Sequence, residues 1–186
     1  MIQLPHLYAL VDAAYFPTTT ELVAFADELI AGGCTLVQYR NKSGNAPVML
    51  EQARALGELS RARAPAPRVL RLIMNDRADL CLAAGFHGVH VGQDDLLPES
   101  VSKIIGSHRW LGVSMHNPEQ LREADLTSAD YVAIGPVFST SSKAKPDPVV
   151  GLEGVRRARA LTRKPLVAIG GITRANAVSV IGAGAD

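Results

Sequence analysis

Short apolar runs alternate along this chain with amphipathic segments. The apolar runs are rich in Val, Ile and Leu, which is typical of strands that are covered on both faces. Alternation of this kind predicts repeated strand–helix units and a parallel sheet. The predicted strands are Leu7–Val11, Leu36–Arg40, Leu70–Asn75, Gly88–Gly92, Trp110–Met115, Tyr131–Val137 and Leu166–Gly170.

Caps, prolines and glycines mark the predicted helices between these strands. Thr18 and Glu21 have the spacing of a capping box, and Asn117-Pro118 has the cap-then-proline pattern of a helix start. The predicted helices are Leu22–Ala31, Val48–Arg63, a segment from Asp76 or Asp79 to Gly85, Glu99–Ile105, a segment starting at Asn117-Pro118, Gly151–Leu161 and Arg174–Gly182.

Seven strands and seven helices predict an α/β fold, a (β/α)8 TIM barrel that lacks its eighth strand and helix. Such barrels typically need about 250 residues, and this chain has 186. Its last residues form a small-residue turn of the kind that usually leads into another strand. We therefore expect a single TIM-barrel domain over residues 1–186 that is incomplete at its C-terminal end. The alternative is a doubly wound open sheet that is complete as it stands.

Composition narrows the classes of partner. A net charge of +1 gives no overall field to attract nucleic acid or an anionic membrane, so any anion site must be local. Cys34 and Cys81 lack metal-type spacing and read as buried thiols in a reducing compartment. No transmembrane run or signal peptide is apparent, so we expect a cytoplasmic protein that binds small molecules. A homo-oligomer would help to cover exposed barrel edges, although the sequence leaves the oligomeric state open.

Polar and glycine-rich clusters follow five of the predicted strands. In a βα barrel the active site lies at the C-terminal ends of the strands, which is where these clusters fall. Together they predict a site for a phosphorylated ligand. The clusters are QYRNK from Gln38, NDR from Asn75, GQDD from Gly92, GVSMH from Gly112 and GPVFSTSSK from Gly135.

Two carboxylates in these clusters suit a metal ion. Asp76 follows the third strand and Asp95 the fourth, and Mg²⁺ commonly takes one or two carboxylates together with phosphate oxygens. The alternative is that each aspartate caps the helix that follows it. Spacing alone does not decide between Asp94 and Asp95.

Cations and glycines in the clusters suit an anion. Gln38, Arg40 and Lys42 are spaced by two and share one face of a continuing strand, which is costly unless an anion lies there. Lys143 adds a mobile point charge. Gly170-Gly171 would let a phosphate approach backbone N–H groups ahead of a helix. The alternatives are that the charges of Arg40 and Lys42 are solvated at a strand end and that Gly170-Gly171 forms only a tight turn.

Seven segments in this order resemble the thiamine-phosphate synthase (thiamine-phosphate pyrophosphorylase) family over the whole chain. They are LYALVD, VQYRNK, NDRADL, HGVHVGQDD, LGVSMH, DYVAIGPVFSTSSK and PLVAIGGIT. The resemblance implies a TIM-barrel transferase of thiamine biosynthesis that uses Mg²⁺. The expected substrates are 4-amino-5-hydroxymethyl-2-methylpyrimidine diphosphate and 4-methyl-5-(2-phosphoethyl)thiazole, and the products are thiamine phosphate and pyrophosphate.

The same resemblance implies roles for individual residues. Asp76 and Asp95 would hold Mg²⁺, which selects the second acid of the Asp94-Asp95 pair. Thr140, Ser142 and the Gly171 N–H would bind the thiazole phosphate. The residues implied for the pyrimidine diphosphate are Gln38, Arg40, Lys42, Asn75, Ser114 and Lys143, of which Arg40, Lys42, Ser114 and Lys143 are the implied catalytic residues.

The chain departs from the family pattern at several points. Asn41 stands where relatives usually carry an acid, Ser142 replaces a common threonine, and the expected eighth strand would have supplied further donors to the thiazole phosphate. Two rival hypotheses remain: a thiazole tautomerase relative and a non-catalytic ligand-binding remnant. The intact acids Asp76 and Asp95 argue against the first, and pyrophosphate release would exclude the second.

Overall fold

Seven parallel strands form one sheet in the order β1 to β7 in the computed structural model, which describes residues 2–63, 70–140 and 147–186. A doubly wound sheet reverses its strand order, so the sequential order rejects that alternative and confirms the predicted α/β class. The strands are β1 Ala9–Asp12, β2 Leu36–Arg40, β3 Arg71–Asn75, β4 Gly88–Val91, β5 Trp110–Met115, β6 Tyr131–Ile134 and β7 Leu166–Ala168.

The helices begin and end near the residues that the caps predicted. The Thr18 hydroxyl accepts the Glu21 N–H at 3.2 Å and the Glu21 carboxylate accepts the Thr18 N–H at 3.1 Å, which completes the capping box. Asn117 Oδ1 accepts the Gln120 N–H at 2.9 Å. The helices are α1 Thr19–Ala31, α2 Ala46–Arg63, α3 Ala78–Ala84, α4 Pro98–Ile105, α5 Pro118–Asp125, α6 Gly151–Leu161 and α7 Ala177–Gly182.

Several predicted elements are too long; the first strand starts at Ala9 and not at Leu7, and the seventh ends at Ala168 and not at Gly170. The last helix starts at Ala177 and not at Arg174, because Asn176 Oδ1 accepts the Thr173 N–H at 2.7 Å and makes a turn of those residues. The sixth strand stops at Ile134, two residues before Pro136, which has no N–H to donate to a ladder.

The chain divides into two compact units. The β1–β4 unit comprises Pro5–His90 and Ser100–Trp110, and the β5–β7 unit comprises Met1–Leu4, Val91–Glu99 and Leu111–Asp186. The expectation of a single domain over the whole chain stays a prediction.

In the β1–β4 unit the parallel register gives the two faces of the sheet different chemistry. One face carries fully buried residues, which are Val11, Tyr39, Met74 and Val89. Because successive side chains point to opposite faces, the residues one position further along lie on the other face. Those residues at the strand ends are polar, namely Asp12, Arg40, Asn75 and His90.

The β5–β7 unit packs its own apolar residues. Ala133 of β6 pairs with Ser114 of β5 on one side and with Val167 of β7 on the other. Fully buried side chains of this unit are Met115, Leu121, Tyr131, Val132, Val155 and Leu166.

Both cysteines are buried free thiols, as predicted, and burial raises the pKa of Cys81 to about 11. Within the three described stretches, every helix is too short or too polar to cross a membrane.

Candidate functional site

A row of polar side chains lies across the C-terminal ends of β1 to β4. Asp12 pairs with Arg40, and Asn75 pairs with His90. Tyr39 pairs with Met74, so the next position along the same register places Arg40 beside Asn75. These four residues, called the polar row below, bring two of the predicted substrate-binding residues to the same edge of the sheet.

Arg40 is held by an ion pair that the sequence analysis did not anticipate. Its guanidinium donates to the Asp12 carboxylate, and the two side chains are 22% and 13% exposed. The other Asp12 oxygen accepts the Ala14 N–H at 3.1 Å, which fixes the carboxylate to its own turn. The sequence did contain a signal for Asp12, because this polar residue directly follows the first predicted strand, as the polar clusters follow other predicted strands.

Lys42 and Asp76 form a second ion pair, with Nζ 2.5 Å from Oδ2. Asp76 has φ of 62°, a left-handed conformation that aspartate tolerates better than most residues. Its backbone N–H donates to the His90 carbonyl at 2.8 Å. The residue that caps α3 is Arg77, without a side-chain hydrogen bond, so the interpretation of Asp76 as a helix cap loses its support.

Two amide side chains occupy the same face. Gln38 is buried and donates from Nε2 to the Tyr8 hydroxyl at 2.8 Å. The Asn75 side-chain nitrogen is also buried, and among the described residues it has no hydrogen-bond partner. An unpaired buried donor costs about 1–3 kcal/mol. That cost is offset if a ligand oxygen accepts from Asn75.

In the β5–β7 unit, the two neighbouring acids differ in environment. Asp95 is half-buried and accepts the Gly92 N–H at 2.8 Å, whereas Asp94 is exposed. Asp95 lies three residues before Pro98, the first residue of α4, so it does not serve as an adjacent cap. The nearby Gln93 side chain donates to the Ser114 carbonyl at 2.6 Å, and Ser114 itself is half-buried.

His116 connects the end of β5 to the segment after β6. Its Nδ1 lies 2.7 Å from the Gly135 carbonyl oxygen, and its Nε2 lies 3.5 Å from Asp147 Oδ2. The His116 N–H also donates to Gln120 Oε1 at 2.8 Å. The histidine thus orients the backbone that leads into the hydroxyl-bearing loop.

Glycines set the backbone geometry after β6 and β7. Val137 and Phe138 donate to the Ile169 and Gly170 carbonyls, both at 2.9 Å. Gly171 has φ of 64°, and a Cβ there would lie 2.5 Å from the Ser139 carbonyl oxygen. The glycine is therefore required by both conformation and space. Thr140 is half-buried in the same unit, while Ser142 and Lys143 lie outside the described residues.

The predicted metal ligands belong to different units, Asp76 to the β1–β4 unit and Asp95 to the β5–β7 unit. Across residues 2–63, 70–140 and 147–186, no three His, Cys, Asp or Glu side chains cluster as a metal site. Both aspartates offer the hard oxygen donors that Mg²⁺ prefers, so the donor set fits that ion.

Residues 7–186 match the model of the Thiamine monophosphate synthase family. A thiamine-phosphate synthase from Koribacter versatilis is 58% identical over 188 residues, which is 100% of this chain and 86% of the relative. One from Chloroflexus aurantiacus is 44% identical over 88% of this chain and 73% of its own length.

A solved structure adds a likeness of fold. The thiamine phosphate pyrophosphorylase from Pyrococcus furiosus has a TM-score of 0.81 and 30% identity, covering 97% of this chain and 83% of its own.

Proposed function

From the premise that the chain belongs to the thiamine monophosphate synthase family, we propose which of its residues carry out the reaction. That reaction condenses 4-amino-5-hydroxymethyl-2-methylpyrimidine diphosphate with 4-methyl-5-(2-phosphoethyl)thiazole, and it releases thiamine phosphate and pyrophosphate. The polar row and Lys42 bind the pyrimidine diphosphate, and the backbone after β6 and β7 binds the thiazole phosphate.

The observation that carries this proposal is the buried Asn75 side-chain nitrogen, which has no partner among the described residues. It lies on the same face as Arg40, beside it in the register. A donor that is already desolvated and held by its strand binds an anionic oxygen without the cost of shedding water. Asn75 therefore suits a contact to the pyrimidine diphosphate, and Gln38 lies one layer below it.

Arg40 and Lys42 neutralise the diphosphate. Arginine presents a planar set of donors that matches phosphate oxygens, and Asp12 orients that set by pairing with one edge of it. Lys42, two residues beyond the end of β2, reaches the site beside Asp76. Lys143 is assigned to the pyrophosphate from the family resemblance alone.

Asp76 and Asp95 are the residues that would hold Mg²⁺. When bound, the ion stabilises negative charge on the departing pyrophosphate. Asp76 brings a carboxylate fixed by an unusual backbone conformation, and Asp95 brings one fixed by the Gly92 N–H. Each carboxylate is thus held by a contact within its own unit, to Lys42 and to the Gly92 N–H respectively.

Loss of pyrophosphate leaves a positive charge on the methylene carbon, and the amino group of the pyrimidine ring delocalises that charge. Arg40, Lys42 and Lys143 favour this step because their charges match the leaving group. The thiazole nitrogen then attacks the carbon, a step that needs positioning more than a base. Thr140, Ser142 and the Gly171 N–H hold the thiazole phosphate for this attack, while Ser114 contacts the pyrimidine.

Pyrophosphate release tests the proposal. The chain is incubated with both substrates and Mg²⁺, and each component is omitted in turn. We expect release only when all three are present. A protein that binds both substrates without releasing pyrophosphate would be a ligand-binding remnant, and one that isomerises a thiazole without release would be a tautomerase relative. The cytoplasmic location and a homo-oligomer stay predictions.

A further inference from the structure

A buried polar network joins Tyr39 of β2, Asn41 just after that strand and Gln52 of α2, and the reaction above does not use it. The Tyr39 hydroxyl donates to Gln52 Oε1 of α2 at 2.5 Å. Asn41 Nδ2 donates to the same oxygen at 2.9 Å and to the Tyr39 hydroxyl oxygen at 3.1 Å. All three residues are buried. Burial raises the pKa of Tyr39 to about 12, so its hydroxyl stays a neutral donor.

Asn41 also fixes the loop that joins β2 to α2. Its Oδ1 accepts the Ser43 N–H at 2.8 Å, and the Ser43 hydroxyl accepts the Asn45 N–H at 3.2 Å. Asn45 Oδ1 in turn accepts the Val48 N–H at 3.3 Å in the first turn of α2. The carboxamide of Asn41 therefore uses its donors on the buried network and its acceptor on the loop.

Arg40, the last residue of β2, and Lys42, two residues beyond it, stand on either side of Asn41 in the chain. Asn41 bonds to Tyr39, whose side chain lies on the opposite face of β2 from Arg40, and the next residue, Lys42, reaches Asp76. The Lys42 side chain is 52% exposed, so little packing of its own restrains it. Apart from the ion pair with Asp76, its direction depends on the backbone from which it starts.

We propose that Asn41 is a positioning residue for the diphosphate group. Buried with Tyr39 and Gln52, it fixes the backbone from which Lys42 reaches the pyrimidine diphosphate. This inference rests on the proposed function, in which Lys42 contacts that diphosphate.

A double-mutant cycle tests the inference through the KM for each substrate. Asn41→Leu and Lys42→Ala are each expected to raise the KM for the pyrimidine diphosphate about tenfold. The KM for the thiazole phosphate should stay unchanged in both variants. The double variant should bind no more weakly than Lys42→Ala, because a residue that acts through lysine has no further effect once the lysine is gone.

Two further variants separate positioning from stability. Leu56→Val, a buried residue of the same helix, should lower Tm without changing either KM. Asn41→Asp keeps the oxygen that accepts the Ser43 N–H, so it should restore part of the affinity lost in Asn41→Leu. If Asn41→Leu does not fold, Gln52→Leu disrupts the network from α2 and enters the same cycle with Lys42→Ala.

Three results would overturn the inference. Effects of Asn41→Leu and Lys42→Ala that multiply would mean that Asn41 acts independently of the lysine. An Asn41→Leu variant that behaves like Leu56→Val would have only a structural role. An unchanged KM in Lys42→Ala would refute the diphosphate contact itself, and the positioning role with it, even when pyrophosphate release continues.

Discussion

The strand ends of the β1–β4 unit and those of the β5–β7 unit differ in which groups they present. The first carries charged side chains that already pair with each other, as in Arg40–Asp12 and Lys42–Asp76. The second relies on backbone shape, with Gly170 and Gly171 in left-handed conformations. In the proposed function, side-chain charge serves the diphosphate that must leave as an anion, and backbone N–H groups serve the phosphate that only has to be held.

The largest effect is expected at Asp76. Replacement by Ala or by Asn should each lower turnover about 10³-fold, because both remove the carboxylate proposed for Mg²⁺. Asn tolerates the left-handed backbone as Asp does, whereas Ala does not. Steady-state rates and Mg²⁺ titration by calorimetry provide the measurement. Near-normal turnover in Asp76→Asn would show that the backbone conformation matters and the charge does not.

A smaller effect is expected for the ion pair of the polar row. Arg40→Ala should raise the KM for the pyrimidine diphosphate about 30-fold, the value of one hydrogen bond to a charged group. Asp12→Asn keeps the shape of the side chain and should raise it about fivefold. The KM for the thiazole phosphate is the internal control. Equal changes in both KM values would contradict the proposal that the two regions bind different substrates.

The glycine region is tested by a matched pair of variants. Gly171 and Gly151 both have φ of 64°, but only at Gly171 would a Cβ meet other atoms within 4 Å. Gly151→Ala should cost about 1 kcal/mol of stability through conformation alone. Gly171→Ala should cost more and raise the KM for the thiazole phosphate about tenfold. If the two variants have the same kinetics, close packing at Gly171 plays no part in binding.

A pH effect should appear at the other end of the strands and leave binding unchanged. Burial, followed by the nearby Arg71 and Arg109, lowers the pKa of His87 from its ordinary 6.5. Its Nδ1 accepts the Leu72 N–H at 3.0 Å, which requires an unprotonated nitrogen. The unfolded chain therefore takes up the proton first, and stability should fall as pH drops below 6.5.

Urea unfolding between pH 7 and 5, in wild type and in His87→Gln, would measure this effect. The variant should show a flatter dependence of the unfolding free energy on pH. An unchanged slope would mean that His87 does not titrate with folding.

Periodicity in the sequence correctly predicted that Gln38 and Arg40 share one face of β2, because a spacing of two is enough to put them there, whereas their role as a site stays a prediction. The apolar runs predicted the bounds of β2 and β5 correctly. Asp12 was missed as a partner of Arg40, since pairing between strands depends on register, which no local pattern specifies.

Backbone geometry was harder to predict. Asp76 follows the last residue of β3, and its N–H donates to the carbonyl of His90 in β4. Its left-handed conformation therefore goes with a contact between two strands. The tight approach of Gly135 to Ile169, where a Cβ would lie 2.3 Å from a carbonyl oxygen, likewise depends on the distance between two segments. A glycine in the sequence indicates that such a close approach is possible, but it does not predict which atoms make it.

The alternation of β2 has a practical consequence for protein engineering. In and just after β2, the residues proposed to meet the ligand have even numbers, whereas Tyr39 and Asn41 bond to Gln52 of α2, so the two sets can be randomised in separate libraries. A library at Gln38, Arg40 and Lys42 explores new leaving groups on an unchanged scaffold. Deleting a single residue within the strand would interchange the two sets, and selection should eliminate such clones even when every remaining side chain is conserved.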